Sequence, residues 1–283
     1  MSHPQPRASS LPAVCLLACM ALVAARRAAA ADDFPGGDAQ TPSPITDHFF
    51  LRASFIHNSV GTELRLDPPG RPAAGTVLSG VPDLGFRAAE NDGLVELMFR
   101  LRDRNRIRAD FQELDQAGTM TQQHPIVFGD QVFNKGDALS TALQWRVMGI
   151  TYTYALIQND RFELAAGIGV HAMDLDVRGT ARSASYETST AGALPTPALE
   201  SALRITRRIS VTARAQYLHL ARNGTSGVLS DVHADAQFRL ASNFSIGAGY
   251  SLLRLKLATV SAANPGLLGL RLSGPEIFVR ASF

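Results

Sequence analysis

The chain has 283 residues, 46% of them hydrophobic, with 27 lysines and arginines against 25 acids. That length suits one large barrel or sandwich without requiring a second domain, and so even a charge balance gives no sign of nucleic-acid binding. Its cysteines, Cys15 and Cys19, both lie near the start, so the remainder can form neither a disulfide nor a thiolate metal site.

Residues 1–31 read as a signal peptide. Arg7 supplies a positive charge, the apolar run LPAVCLLACMALVAA (11–25) follows, and Arg26-Arg27 leads into the small residues of Ala29-Ala30-Ala31, the expected cleavage site. The run is shorter than the roughly 20 residues a transmembrane helix needs. Leu16-Leu17-Ala18-Cys19 also resembles a lipoprotein box that would lipidate Cys19, but the apolar run continues through Ala25, where such signals turn polar. Cleavage would remove three arginines and no acid, leaving 24 basic residues against 25 acidic. Residues 32–46, beginning DDFPGGDAQTPSP, are a flexible lead-in, and residues 47–283 form the folded domain.

From there no segment keeps a helical period, while alternation with a period of two keeps returning. It predicts ten strands, near 48–57, 94–102, 106–114, 140–157, 161–177, 198–205, 209–220, 231–240, 244–257 and 268–283. The clearest is VHADAQFRL, with Val232, Ala234, Ala236, Phe238 and Leu240 on one face and His233, Asp235, Gln237 and Arg239 on the other. Tight polar turns at Asp103-Arg104-Asn105, Gln158-Asn159-Asp160, Thr206-Arg207-Arg208 and Ala241-Ser242-Asn243 close hairpins. Long polar loops are expected between the hairpins, over 57–93, 115–139, 179–197, 221–230 and 259–266. An even strand number puts the tight turns and both termini at one edge and the long loops at the other.

Strand after strand, the polar face mixes arginine with acid: Arg52, Glu96, Arg100, Arg108, Asp110, Arg146, Glu163, Glu200, Arg204, Arg214, Asp235, Arg239, Glu276 and Arg280. The other face is rich in Ala, Val, Leu and Phe, with Phe49, Phe99, Phe162, Phe238 and Phe244 near strand ends. A soluble sandwich would bury large aliphatics and scatter its charges. An inside-out barrel explains both faces, with hydrocarbon outside, an aromatic girdle at the interface and charges in the lumen. The fold predicted is an all-β, closed antiparallel transmembrane barrel of about ten strands, eight or twelve being the alternatives.

The last strand, GPEIFVRASF, keeps the alternation to the final atom, with Ile277, Val279, Ala281 and Phe283 on one face. Such a strand ending in Phe resembles the C-terminal signature of Gram-negative outer-membrane β-barrels. The resemblance spans nearly the whole chain past the leader and is nearest to small OmpA/OmpW-like barrels. It implies residence in the outer membrane, contact with its lipid and lipopolysaccharide, short periplasmic turns, and recognition by the barrel-assembly machinery.

For function, three classes are weighed. Outer-membrane deacylases and phospholipases resemble one another in a Ser/His pair on the outer wall, whereas here Met173 stands two residues after His171 and the His points inward. His171 with Asp174 and Asp176 offers too few oxygen ligands for calcium, and these acids mark where the strand leaves the bilayer, the alternation slipping by one residue. Asn223-Gly224-Thr225 matches a glycosylation sequon that a bacterial barrel would not use. Arg254 and Lys256 interrupt the apolar face, through either a bulge or a position above the membrane beside lipopolysaccharide. The second class is a pore, but ten strands lie near the eight whose interior side chains fill. The first loop, with Leu84-Gly85-Phe86, is placed to fold over or into the mouth. The reading reached is therefore a non-enzymatic barrel without metal or cofactor, its lumen filled by paired charges, in a structural or loop-mediated binding role. A narrow passive channel for a small or apolar solute is the alternative, and a deacylase-like enzyme the remote one.

Overall fold

The computed structural model describes residues 44–222, 224–260 and 265–283. The leader, Cys19, the lead-in up to residue 43 and the sequon asparagine lie outside the described residues. The long strands are β1 (Phe49–Leu66), β3 (Ala89–Arg102), β4 (Asn105–Thr121), β7 (Ala138–Gln158), β8 (Phe162–Thr180), β9 (Ser185–Arg204), β10 (Ile209–Arg222), β11 (Thr225–Ala241), β12 (Phe244–Thr259) and β13 (Gly266–Ser282). Shorter pieces are β2 (Leu78–Ser79), α1 (Gly80–Leu84), β5 (Ile126–Phe128) and β6 (Gln131–Phe133). The sheet order is β13-β12-β11-β10-β9-β8-β7-β4-β3-β1, and β13 pairs back onto β1, so the ten strands close into an antiparallel barrel. Closure runs from Phe50 opposite Ser282 to Leu66 opposite Gly266.

The edge that carries the termini has the tight turns. Arg102 faces Asn105 across a two-residue turn, and Ala241 faces Phe244 across another. The Asn159 side chain accepts from the amides of Arg161 and Phe162, and the Thr206 hydroxyl accepts from Ile209, the local bonds that make Asn and Thr turn residues. Phe283 is tied to β1 by its amide to the Phe49 carbonyl, and its carbonyl accepts from His48 and Phe49. The chain just before β1 also belongs to the barrel: Ile45 and Asp47 are buried in this mouth.

At the opposite edge the strands run further than the alternation predicts. Residues 179–197 form the upper parts of β8 and β9 with a turn at 181–184, while 221–222 and 225–230 belong to β10 and β11, with Gly224 between them at a φ of 75° that fits glycine. Neither segment is the long loop expected. At about 3.4 Å per residue and a tilt near 45°, the 21 residues of β7 span about 50 Å, roughly twice the height of an apolar membrane belt. The upper half of that strand therefore stands in water.

The faces exchange polarity where that half begins. On β7, Leu156, Tyr154, Tyr152, Ile150 and Met148 point outward and are exposed; on the same face, further along, come Arg146, Gln144 and Ser140. The inner face changes from Thr153, Thr151 and Gly149 to Val147, Trp145, Leu143 and Leu139. β8 repeats this: Ile168 and Val170 lie outside below Asp174 and Asp176, and His171 lies inside below Leu175 and Val177. The β8 ladders are continuous through Asp174 and Asp176, so the expected one-residue slip does not occur. Arg254 and Lys256 likewise share the outer face of Ile246 and Tyr250 without a bulge, which decides for a position above the belt. Parity stays constant while the solvent changes from hydrocarbon to water.

One ladder is incomplete. β9 and β10 pair only between Ala198–Arg204 and Ser210–Gln216, although both strands continue upward. Pro195 and Pro197 bring no amide hydrogen to that part of β9, so the ladder cannot extend through them.

Candidate functional site

The lower lumen is filled by one ionic network. Arg52 is 4% exposed; its guanidinium meets Glu96 at 3.2 Å, Asp235 at 2.8 Å and also Glu276, while the Phe278 ring lies 3.7 Å beneath it. Glu96, fully buried, also takes Arg214 and has Arg108 at 3.9 Å. Arg108 reaches Glu200, with Asp110 at 3.7 Å. Arg106 and Arg100 converge on Glu163, at 2.5 and 3.2 Å. Asp47 closes the mouth by accepting from Arg280 at 2.5 Å, with Arg239 at 3.8 Å. Charges from every long strand except β7 and β12 take part, so the pairs brace opposite walls. Buried ions persist only when paired in this way.

Of the residues the sequence placed here, Glu96, Arg100, Arg108, Asp110, Glu163, Glu200, Arg214, Asp235, Arg239, Glu276 and Arg280 do line the lumen. Arg204 reaches only the rim of the mouth near Arg239 and Ser210, with no carboxylate within 4.0 Å among the described residues. Arg146 is not in the lumen. It projects from the outer wall, 3.3 Å from Glu113 and near Asp174 and Asp176, because the parity that turns Thr151 and Thr153 inward turns residue 146 outward. Asp47 and Arg106 were missed, though Arg106 was legible as the inward neighbour two positions before Arg108.

Above the ions lies a second polar layer. Gln216 accepts from Thr196 at 2.5 Å, contacts His171 Nε2 at 2.7 Å and donates to Thr151 at 3.2 Å. His233 sits between Asp231 at 2.9 Å and Glu276 at 3.7 Å. An Asp–His pair could move a proton; among the described residues no hydroxyl is hydrogen-bonded to either imidazole. Among the described residues no group of His, Cys, Asp and Glu is arranged to hold a metal.

The upper lumen is a hydrophobic core. Trp145, Leu139, Leu143, Leu114, Leu175, Leu229, Leu255 and Leu270 project inward from the wall, and Leu84, Phe86, Phe128 and Phe133 enter from the loops. The first loop folds into the mouth: Gly85, at φ 70°, lies against the backbone of Thr119 and Gly118, where a Cβ would clash. The β5–β6 hairpin covers the rest, its Phe128 meeting Phe133 and Tyr186 edge to face at 6.1 and 5.7 Å. Asp137 pins its base outside the membrane; the Ser183 hydroxyl and Asn134 amide that donate to the carboxylate hold it below its ordinary range.

No protein-family model and no curated protein matches the chain. Solved structures do. The outer membrane protease OmpT from Escherichia coli superposes with a TM-score of 0.54 at 9% identity, over 83% of this chain and 97% of that one. The translocator domain of the autotransporter NalP from Neisseria meningitidis covers 94% of this chain and 97% of its own at 10% identity, with a TM-score of 0.37. Ail, the attachment invasion locus protein of Yersinia pestis, covers 82% of this chain and 99% of its own at 8% identity, with a TM-score of 0.34. At such identities the OmpT likeness speaks to fold alone, and the fold is that of an outer-membrane β-barrel.

Proposed function

We propose that this chain is an integral protein of a Gram-negative outer membrane, exported by a cleaved leader, that works without catalysis as a closed scaffold whose extracellular wall stabilises the envelope or binds partners. The observation that carries this is the lumen filled at both levels, by paired ions below and an apolar core above. Rigid walls that display polar rims suit recognition. In this reading the strand containing Ile277, Val279, Ala281 and Phe283 is what the barrel-assembly machinery receives, and the chain keeps company with the small OmpA/OmpW-like barrels. The protease activity in OmpT's name stays with that protein; the Asp231–His233 pair here lies beneath the apolar roof, away from a substrate. Single-channel recording in a planar bilayer tests the closed lumen: refolded protein that runs as a compact, heat-modifiable band should stay electrically silent. Defined, reproducible channels would refute it. A second reading, passive passage of a small or apolar solute, draws support from the β9–β10 ladder that stops at Ala198 and Gln216.

A further inference from the structure

Just above the last apolar row of the outer wall, two arginines stand directly opposite each other. Arg254 of β12 pairs with Arg271 of β13, and parity turns both outward, on the face of Tyr250 and Leu252 in one strand and of Pro275 and Ile277 in the other. Like charges directly opposed weaken an antiparallel pair. Among the described residues no carboxylate offsets them, none lying within 4.0 Å of either guanidinium. One row higher, by contrast, Lys256 has Glu63 at 3.6 Å.

Small residues complete the row. Ser230 pairs with Arg254 and Gly61 with Arg271, while the row beneath brings Ser273 opposite Ser59. The wall thus presents two forks of N–H donors among hydroxyls, with open space for a bulky group. We propose that Arg254 and Arg271 together bind a phosphate on the saccharide headgroup of an outer-leaflet glycolipid, the lipid A part of lipopolysaccharide. A guanidinium meets phosphate oxygens through paired hydrogen bonds, and one phosphate shared by two forks converts their repulsion into a bridge. Free phosphate would satisfy the same donors. The place of the pair selects the lipid: Leu252 and Tyr250 lie directly below to receive acyl chains, and the arginines stand where headgroups begin. This assignment rests on the outer-membrane reading above.

The test uses the full mature chain refolded in detergent and follows the temperature at which the compact band is lost. Bisphosphorylated lipid A should raise that midpoint by several degrees, and the double variant Arg254→Ser/Arg271→Ser should lose the rise. Without lipid A the variant should unfold at or above the wild-type temperature, because a repulsion has been removed; this control separates a lost site from a damaged fold. An equal rise in the variant, or an equal rise with dephosphorylated lipid A, would overturn the assignment. An equal rise with inorganic phosphate would replace the lipid by a free anion and overturn it too. Wild-type protein that never forms a heat-modifiable band would instead strike the outer-membrane reading itself.

Discussion

Replacing Arg52 by methionine keeps an apolar stem on Phe278 but removes the charge shared by Glu96, Asp235 and Glu276. The three acids lose unequally. Glu96 retains Arg214 and Arg108, and Glu276 retains His233, whereas Asp235 has no other salt bridge among the described residues. Breaking a buried pair costs about 3–5 kcal/mol because the remaining ion is stranded. With Glu96 still paired to arginine and Glu276 still beside the His233 imidazole, the lower end, about 3 kcal/mol, is expected. Asp235→Asn alone leaves Arg52 two carboxylates and should cost about 1.5 kcal/mol, the worth of one hydrogen bond to a charged group. If Asp235 is the stranded group, the double variant will be less destabilised than the sum by about 1–3 kcal/mol. Urea unfolding in phospholipid vesicles, followed by the compact band, gives all three values. Arg52→Met within about 1 kcal/mol of wild type, together with an additive double variant, would refute the idea that this charge braces the lumen.

Phe283→Ala removes a ring stacked 6.1 Å from Phe49 but leaves the backbone bonds that close the barrel. Less assembled protein in outer-membrane fractions is expected, and an unchanged amount would exclude an anchoring role for the ring. Trp145, the chain's single tryptophan, is 1% exposed within the upper core, so its emission should be blue-shifted and nearly immune to iodide added outside vesicles. Ready quenching would show that the roof opens.

The strands were legible because hydrocarbon on one side and packed charge on the other impose a strict two-residue period. VHADAQFRL carries that pattern without error, and the tight turns were marked by Asn, Asp and Thr. Arg146 was misplaced because its strand keeps its phase while the outer solvent changes, so a charge that would sit in the lumen at one height belongs outside at another. The same exchange hid the upper halves of β1 and β9. Val60 and Leu64 face inward and Glu63 and Arg65 outward, a correct strand pattern for water that reads as a broken one for lipid. The roof is only half legible: Leu84-Gly85-Phe86 stands out in the first loop, but its docking on Gly118 depends on residues distant in sequence.

Because each outer row changes from oil-loving to water-loving within a single step, the molecule fixes its own depth. Sinking by one row would carry Arg254 and Arg271 toward hydrocarbon, and rising by one would lift Tyr250 and Leu252 toward water. A charge near the bilayer edge costs up to about 1 kcal/mol and more with depth. Several strands make the same demand together, so vertical drift is restrained all around the circumference and the exposed rim is held at a set height above the cell surface.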